Sequence, residues 1–179
     1  MRVLIGYASK HGSTREIAER VAQRLREHSH NAEARPFARA RRADAYEVIV
    51  LGSAVYYSRW LKEATAYVRR NATALAARPA WLFSVGAARA VGARFNAPVN
   101  PPRDVTSIQR KIRPRGHRFF AGALRKEQLP LPGRLLSRLM RSGRADFRDW
   151  ADIDAWADKI AAELAASGTS NGRSKAAKN

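Results

Sequence analysis

Residues Arg2-Val3-Leu4-Ile5-Gly6-Tyr7-Ala8 run apolar without alternation, so a strand formed there must be covered on both faces. A strand of that kind belongs in a sheet sandwiched between helix layers. The next residues agree: Ile17, Val21 and Leu25 fall four apart, with Ala18 and Ala22 beside them, giving one apolar helical face. Between strand and helix lies Ser9-Lys10-His11-Gly12-Ser13-Thr14. A hydroxyl-rich loop at a helix N-terminus gathers free backbone N–H groups, the positive end of the helix dipole and neutral donors, which suits a phosphate.

What the loop lacks narrows the phosphate. A triphosphate P-loop has a Lys after its second Gly, but Gly6 and Gly12 stand one residue too far apart and Ser13 occupies the Lys position. The G-x-G-x-x-G dinucleotide fingerprint is absent too. A terminal monophosphate held by several hydroxyls fits what remains. The alternative is an ordinary helix start, with Ser13 or Thr14 capping and Glu16 close by.

Strand and helix patterns then alternate. Ala32 to Phe37 reads as a second strand, Arg39 to Asp44 as a brief crossover, and Glu47 to Gly52 as a third, uniformly apolar strand. A helix follows, with Leu61, Ala64, Val68 and Leu75 on its buried stripe. Pro79 opens a fourth strand through Gly86, a helix is expected between Pro102 and Lys111, and Arg118 to Gly122 reads as a fifth strand. In the last helix Ile153, Trp156, Ala157, Ile160, Ala161 and Leu164 share a face, with Asp149 or Asp152 as cap. From Ser167 the composition turns to Gly, Ser, Asn and Lys, so the reading is one domain over 1–166 and a disordered basic tail over 167–179. Five strands alternating with helices specify a parallel, doubly wound sheet.

Ligands of such sheets sit beyond the carboxyl ends of the strands. Three loops belong there: Ser9 to Thr14, the stretch Ser53-Ala54-Val55-Tyr56-Tyr57 after strand three, and Val85, Gly86, Ala87 and Arg89 after strand four. Together they suit a flat aromatic ring with a phosphate tail. Tyr56 or Tyr57 either stacks on that ring or packs at the rim.

Composition bounds the chemistry. The 179 residues hold no cysteine, which excludes disulfides, thiolate metal sites and a Cys nucleophile. No apolar run approaches the ~18 residues of a membrane span, and the first strand begins at Arg2, leaving no room for a signal peptide. The expectation is a cytoplasmic protein, with peripheral attachment to the inner face of a membrane left open. The formal charge is +19. Between Arg78 and Asp146 fifteen basic residues face only three acidic ones. Such a surface calls for anionic partners. No zinc-finger, RNP or cold-shock signature accompanies it, so nucleic acid is the less favoured partner. His28 and His30 end a helix without carboxylate or cysteine company, and no metal site is expected.

The chain resembles the flavodoxin-like FMN proteins, whose phosphate loop reads Ser/Thr-x-x-Gly-x-Ser/Thr after the first strand, as Ser9, Gly12 and Thr14 do here. More narrowly it resembles the menaquinone-dependent protoporphyrinogen oxidases. The matching residues are Ser13-Thr14-Arg15-Glu16-Ile17-Ala18, Gly52-Ser53 with Tyr57 and Lys62, Ala121-Gly122-Ala123-Leu124-Arg125, and Asp149-Trp150, and the likeness runs from about Met1 to Leu164. It implies a flavodoxin-like five-stranded parallel sheet in the order 2-1-3-4-5 with helices on both faces. It also implies FMN as cofactor, with Ser9, Ser13, Thr14 and the N–H groups of Lys10, His11, Gly12, Ser13 and Thr14 on its phosphate. The other two loops would flank the flavin ring. Electrons would pass from a substrate, a porphyrinogen in that group, to a quinone or a redox protein, with no catalytic side chain required. The group's insert before the last helix is reduced here to Lys126 through Arg148. Its centre, Leu135 to Met140, reads as a short basic amphipathic helix that rests on an anionic membrane, covers a quinone-bearing partner, or packs its leucines on the domain itself. The competing functional class is a non-catalytic binding module that uses its basic face.

Overall fold

The uniformly apolar strands divide their side chains between two cores. In the computed structural model, which describes residues 1–86, 100–125 and 144–176, β1 (Arg2–Ala8) sends Val3, Ile5 and Tyr7 to one face of the sheet and Leu4 and Ala8 to the other. The strands β3 (Val48–Tyr56) and β5 (Ala80–Gly86) do the same: Val48, Val50, Trp81, Phe83 and Val85 join the first core, and Ile49, Leu51, Ala80 and Leu82 the second. The side-chain period of two therefore leaves no polar face, which is why these strands show no alternation.

The first core is closed by α1 (Ser13–Glu27) and α5 (Trp150–Ala176), through Ile17, Val21, Leu25, Ile153, Ile160 and Leu164. The second is closed by α2 (Lys62–Arg70), α3 (Ala72–Ala76) and α4 (Arg103–Ile112), through Ala64, Val68, Leu75, Val105, Ile108 and Ile112. With β2 (Asn31–Pro36) and β6 (Gly116–Ala121) the sheet reads β2-β1-β3-β5-β6, and all these neighbours are parallel. The flavodoxin-like architecture is the expected one. The numbering shifts because a two-residue strand, β4 (Arg59–Trp60), pairs antiparallel with the end of β3 and takes a number of its own. The direction in which successive strands are added reverses between β1 and β3, where Ala8 lies beside Ser53. That switch point opens the crevice used by ligands in this architecture.

Several local expectations change. The third strand does not stop at Gly52. It continues to Tyr56 because Ser53 still pairs with Ala8 and Ser84, Ala54 with Val85, and Val55 and Tyr56 with Trp60 and Arg59 of β4. The helix expected over Leu61 to Leu75 breaks at Asn71. The Asn71 amide N–H₂ donates to the Tyr67 carbonyl at 2.9 Å, and its Oδ1 accepts the Ala43 N–H at 3.1 Å, so the side chain competes with the helix ladder. The crossover over Arg39 to Asp44 contains a single 3₁₀ turn, Ala43–Ala45. Asp149 is the cap of α5, its carboxylate accepting the Asp152 N–H at 3.0 Å, while Asp152 itself pairs with Arg118. The helical backbone continues to Ala176, past Ser167 where the composition pointed to an unstructured tail. Just before the insert, β7 (Ala123–Arg125) pairs antiparallel with β8 (Arg144–Asp146), which lies near the insert's end. The basic helix expected at Leu135 to Met140 lies outside the described residues. Among the described residues, no helix is long and apolar enough to cross a membrane.

A ladder of ion pairs joins α1 to α5. Arg20 grips Asp154 with two bonds of 2.6 and 2.7 Å, and one turn on Arg24 grips Asp158 at 2.7 and 3.0 Å, with His28 at 2.8 Å from the same carboxylate. Hydrogen bonds from Arg24 and then His28 hold the Asp158 carboxyl down at about 2, and the bond from Arg20 lowers Asp154. A carboxyl with a depressed folded pKa contributes stability above its unfolded value, and loses it as pH falls through the folded one. The melting temperature is therefore expected to be insensitive to Asp158 above about pH 5 and to fall between about pH 4 and pH 2. Asp158→Asn should flatten that fall when melting is followed by circular dichroism across the acid range. An unchanged acid limb in the variant would count against the ladder.

Candidate functional site

Where β1 ends, the chain enters a tight loop that starts α1. The N-cap position is Gly12, at φ 97°, a left-handed conformation that a side chain resists. Gly12 has no side chain to cap with, and the Ser9 hydroxyl accepts the Gly12 N–H at 3.1 Å, folding the loop back on itself. Ser13 does not cap the helix either. Its Oγ donates to the Ala123 carbonyl and accepts the Ala123 N–H, both at 3.2 Å, which ties the loop to β7. Glu16, in the first turn, pairs with Arg148, whose side chain is only 6 % exposed and also binds Asp146. The Arg148 guanidinium stacks on Trp150 at 4.6 Å. These contacts lock the ends of the β7–β8 hairpin against the start of α1 and leave the helix N-terminus without a side-chain cap.

The second wall is the β3–β4 hairpin. Its two-residue turn, Tyr57–Ser58, has φ of 49° and 58°, as a type I′ turn requires, yet neither residue is Gly or Asn. Left-handed φ at such residues costs on the order of 1–3 kcal/mol each and persists only where surrounding contacts enforce it. Here they do: the Arg103 N–H donates to the Ser58 carbonyl at 3.0 Å. The Trp60 N–H donates to Asp104 at 3.1 Å, and the Leu61 N–H to Ser53 Oγ at 3.0 Å. Underneath, the Trp60 indole N–H donates to Ser84 Oγ at 2.8 Å, and Ser84 shares a 2.9 Å hydrogen bond with His117, whose pKa burial pushes down to about 4. The two buried serines thus anchor the hairpin from below.

The walls meet in a cavity of about 200 Å³ at the carboxyl ends of β1, β3 and β5. Of the residues expected at a site, Ser9, Lys10, His11, Ser13, Thr14, Ala54, Val55, Tyr56, Val85 and Gly86 line it. Thr14 is 1 % exposed, and what remains open of it faces this cavity. Lys10 Nζ sits 5.2 Å from the Tyr56 ring, with the His11 ring at 6.2 Å. Burial raises the Tyr56 phenol, so it stays neutral. Three expected residues are elsewhere. Gly12 shapes the loop without lining the cavity, Ser53 is fully buried beneath the hairpin, and Tyr57 stands at the hairpin tip, 98 % exposed. Ala87 and Arg89 lie outside the described residues. Gly122 and Ala123 line the cavity and were not among the expected site residues. The rule that ligands sit at strand carboxyl ends points to them as well, since they follow the last strand of the sheet.

The donor set fits a phosphate ester with an aromatic ring: hydroxyls and an uncapped helix start at one end, and Tyr56 with small, apolar residues at the other. Among the described residues, no group of His, Cys, Asp and Glu is placed to hold a metal ion.

Fold and cavity together define a flavodoxin-type protein, and the chain belongs to the flavodoxin domain family, whose model matches residues 4–150. The family implies a flavin as cofactor. The sequence is 26% identical over 172 residues to the protoporphyrinogen IX dehydrogenase (quinone) of Escherichia coli strain K12, covering 90% of this chain and 95% of that one. Among solved structures, a cysteine-to-serine mutant of the flavodoxin from Pseudomonas aeruginosa superposes with a TM-score of 0.58 at 13% identity, over 90% of this chain and 97% of that one. The Streptococcus pneumonia TIGR4 flavodoxin gives 0.56 at 14% identity, over 93% and 99%. At those identities the two structures speak for the fold alone.

Proposed function

We propose that the chain is an FMN-dependent oxidoreductase that oxidises protoporphyrinogen IX and delivers the electrons to a quinone. The convergence of the Ser9–Thr14 loop, the β3–β4 hairpin and the end of β5 on one cavity carries the flavin part of this reading. The E. coli relative, similar along nearly the whole chain, supports the substrate and acceptor.

When bound, FMN supplies the redox chemistry, and the protein supplies position, electrostatics and the exclusion of water. Ser9 and Thr14 hydroxyls and the N–H groups of Lys10, His11, Ser13 and Thr14 would hold the phosphate, at the positive end of the α1 dipole, while the Gly12 N–H stays on Ser9 Oγ and shapes the loop. Ser13, with both its side-chain bonds on Ala123, contributes its N–H and keeps the loop closed. Tyr56 would flank the ring from the hairpin side, and Val85 and Gly86 from the β5 side. Ser53 fixes the hairpin from beneath rather than touching the cofactor. Tyr57 stands free for the substrate side. A surface of +19 suits a substrate that carries carboxylates and an acceptor that resides in an anionic membrane.

Purified protein should be yellow or turn so with added FMN. The flavin-loaded protein should generate porphyrin fluorescence from protoporphyrinogen under anaerobic conditions once a soluble menaquinone analogue is supplied. Flavin binding without porphyrin formation would overturn the substrate and leave the cofactor. A colourless protein that takes up no added FMN would overturn both.

A further inference from the structure

We propose that the groove along the free edge of β2 is a second oxyanion site, separate from the phosphate loop, which takes a linear phosphate chain of di- or triphosphate length. The inference goes beyond the flavin reading and does not depend on it.

The groove measures about 260 Å³ and is lined by Arg2, Arg35, Arg39 and Arg41, with Glu33 and Tyr46 among the other lining residues. Arg2 lies beside Asn31 at the amino end of the β1–β2 pair, and Arg35 beside Gly6 near its carboxyl end. That pairing spreads the cations along β2, over about 13 Å for four strand steps. Guanidinium groups match phosphate oxygens with paired N–H donors, so a row of them reads a chain of phosphates better than a single ion.

Only one carboxylate lines the groove, and it is already engaged. The buried Tyr46 hydroxyl donates to Glu33 Oε1 at 2.5 Å, and Arg35 reaches Glu33 Oε2 at 2.8 Å. Those two hydrogen bonds keep Glu33 ionised, its carboxyl held below the ordinary range by Tyr46 first and Arg35 second. The guanidinium groups of Arg2, Arg39 and Arg41 make no ion pair with a carboxylate among the described residues, and all three residues are exposed; Glu47 accepts the Arg2 backbone N–H at 2.7 Å from outside the groove lining. The segment that carries two of them is fixed in place. The Phe37 N–H donates to the Tyr7 carbonyl at 3.0 Å, the Arg39 N–H to the Pro36 carbonyl at 2.8 Å, and the Tyr67 hydroxyl to the Arg41 carbonyl at 2.8 Å. Unpaired cations on anchored backbone, facing one groove, form a prepared anion site rather than a scatter of solvated charge.

Isothermal titration of the flavin-loaded protein with inorganic tripolyphosphate and with ATP tests this. Saturable one-to-one binding of tripolyphosphate is expected, weakened about tenfold in Arg39→Gln/Arg41→Gln, because each lost charged hydrogen bond removes a substantial part of the affinity. The variant should keep its circular dichroism and its flavin content. Comparable affinity for ATP would mark the phosphate tail of a nucleotide as a source, and binding of tripolyphosphate alone would mark free polyphosphate. The control is Lys111→Gln/Arg113→Gln, at the exposed end of α4, which should leave binding unchanged. No saturable binding, or an equal loss in the control, would overturn the site in favour of diffuse charge.

Discussion

Ser9→Ala combined with Thr14→Val is expected to lower FMN affinity by about a hundredfold or more, read by fluorescence titration as flavin emission is quenched on binding. A hydrogen bond to a charged group contributes about 1.5–3 kcal/mol, and every 1.4 kcal/mol is about tenfold in affinity. The Val side chain keeps the branched shape of Thr14 at its buried position, so the loss reports the hydroxyl rather than a cavity. Ser9→Ala also frees the Gly12 N–H from its 3.1 Å partner, so part of its effect acts through the loop. Thr14→Ser separates the two contributions, because it restores the hydroxyl and should recover most of the affinity in the single-site background. Undiminished affinity in the double variant would place the phosphate elsewhere.

Phe83→Ala is expected to cost about 3–5 kcal/mol in urea unfolding, the range for a large aromatic removed from a packed core. For a chain of this size that lowers the melting temperature by roughly 10 °C. Phe83 is fully buried, and its ring stands 6.1 Å from Phe120 and 5.9 Å from Trp156, which are 5.5 Å from each other. Its other side presses on β3. A Cβ added to Gly52 would lie 1.9 Å from Phe83 Cζ, so only a glycine fits opposite this ring. Gly52→Ala alone should therefore destabilise by about 1–3 kcal/mol through overpacking. In the Phe83→Ala background the same substitution should cost far less, since the ring it collides with is gone. Additive losses in that double-mutant cycle would mean the two positions do not share the space the structure gives them.

Much of the architecture was legible because burial on both faces leaves a direct trace. Val3 to Ala8, Val48 to Leu51 and Trp81 to Val85 are apolar almost without interruption, and each proved to feed both cores. The Ser9–Thr14 loop at the start of α1 was legible for a different reason: its donor chemistry is local, within six consecutive residues. Less legible were features that depend on what comes alongside. Ser53 to Tyr57 reads as a loop, yet all but its last residue are strand, because Ala8, Ser84 and Val85 and then Trp60 and Arg59 of β4 supply the ladder. Ser53 reads as part of a ring-flanking loop and is a buried anchor, since its hydroxyl meets the Leu61 N–H eight residues on. Neighbouring tyrosines could not be told apart by composition. The antiparallel turn brings Tyr56 to the cavity and leaves Tyr57 at the tip.

By itself, the sequence determined the layered parallel sheet, the place of the hydroxyl-rich loop at its first strand–helix junction, and the basic character of the surface. These follow from periodicity, local donor chemistry and charge, none of which needs a distant partner. Only the tertiary structure decided which hydroxyls in the expected site are free to meet a ligand. Ser13 is spent on Ala123, 110 residues away, Ser53 holds the hairpin, and Gly122 and Ala123 close the cavity from the far end of the sheet. The physical reason is that a side chain's availability is settled by its long-range hydrogen bonds, and those exist only once the chain has folded.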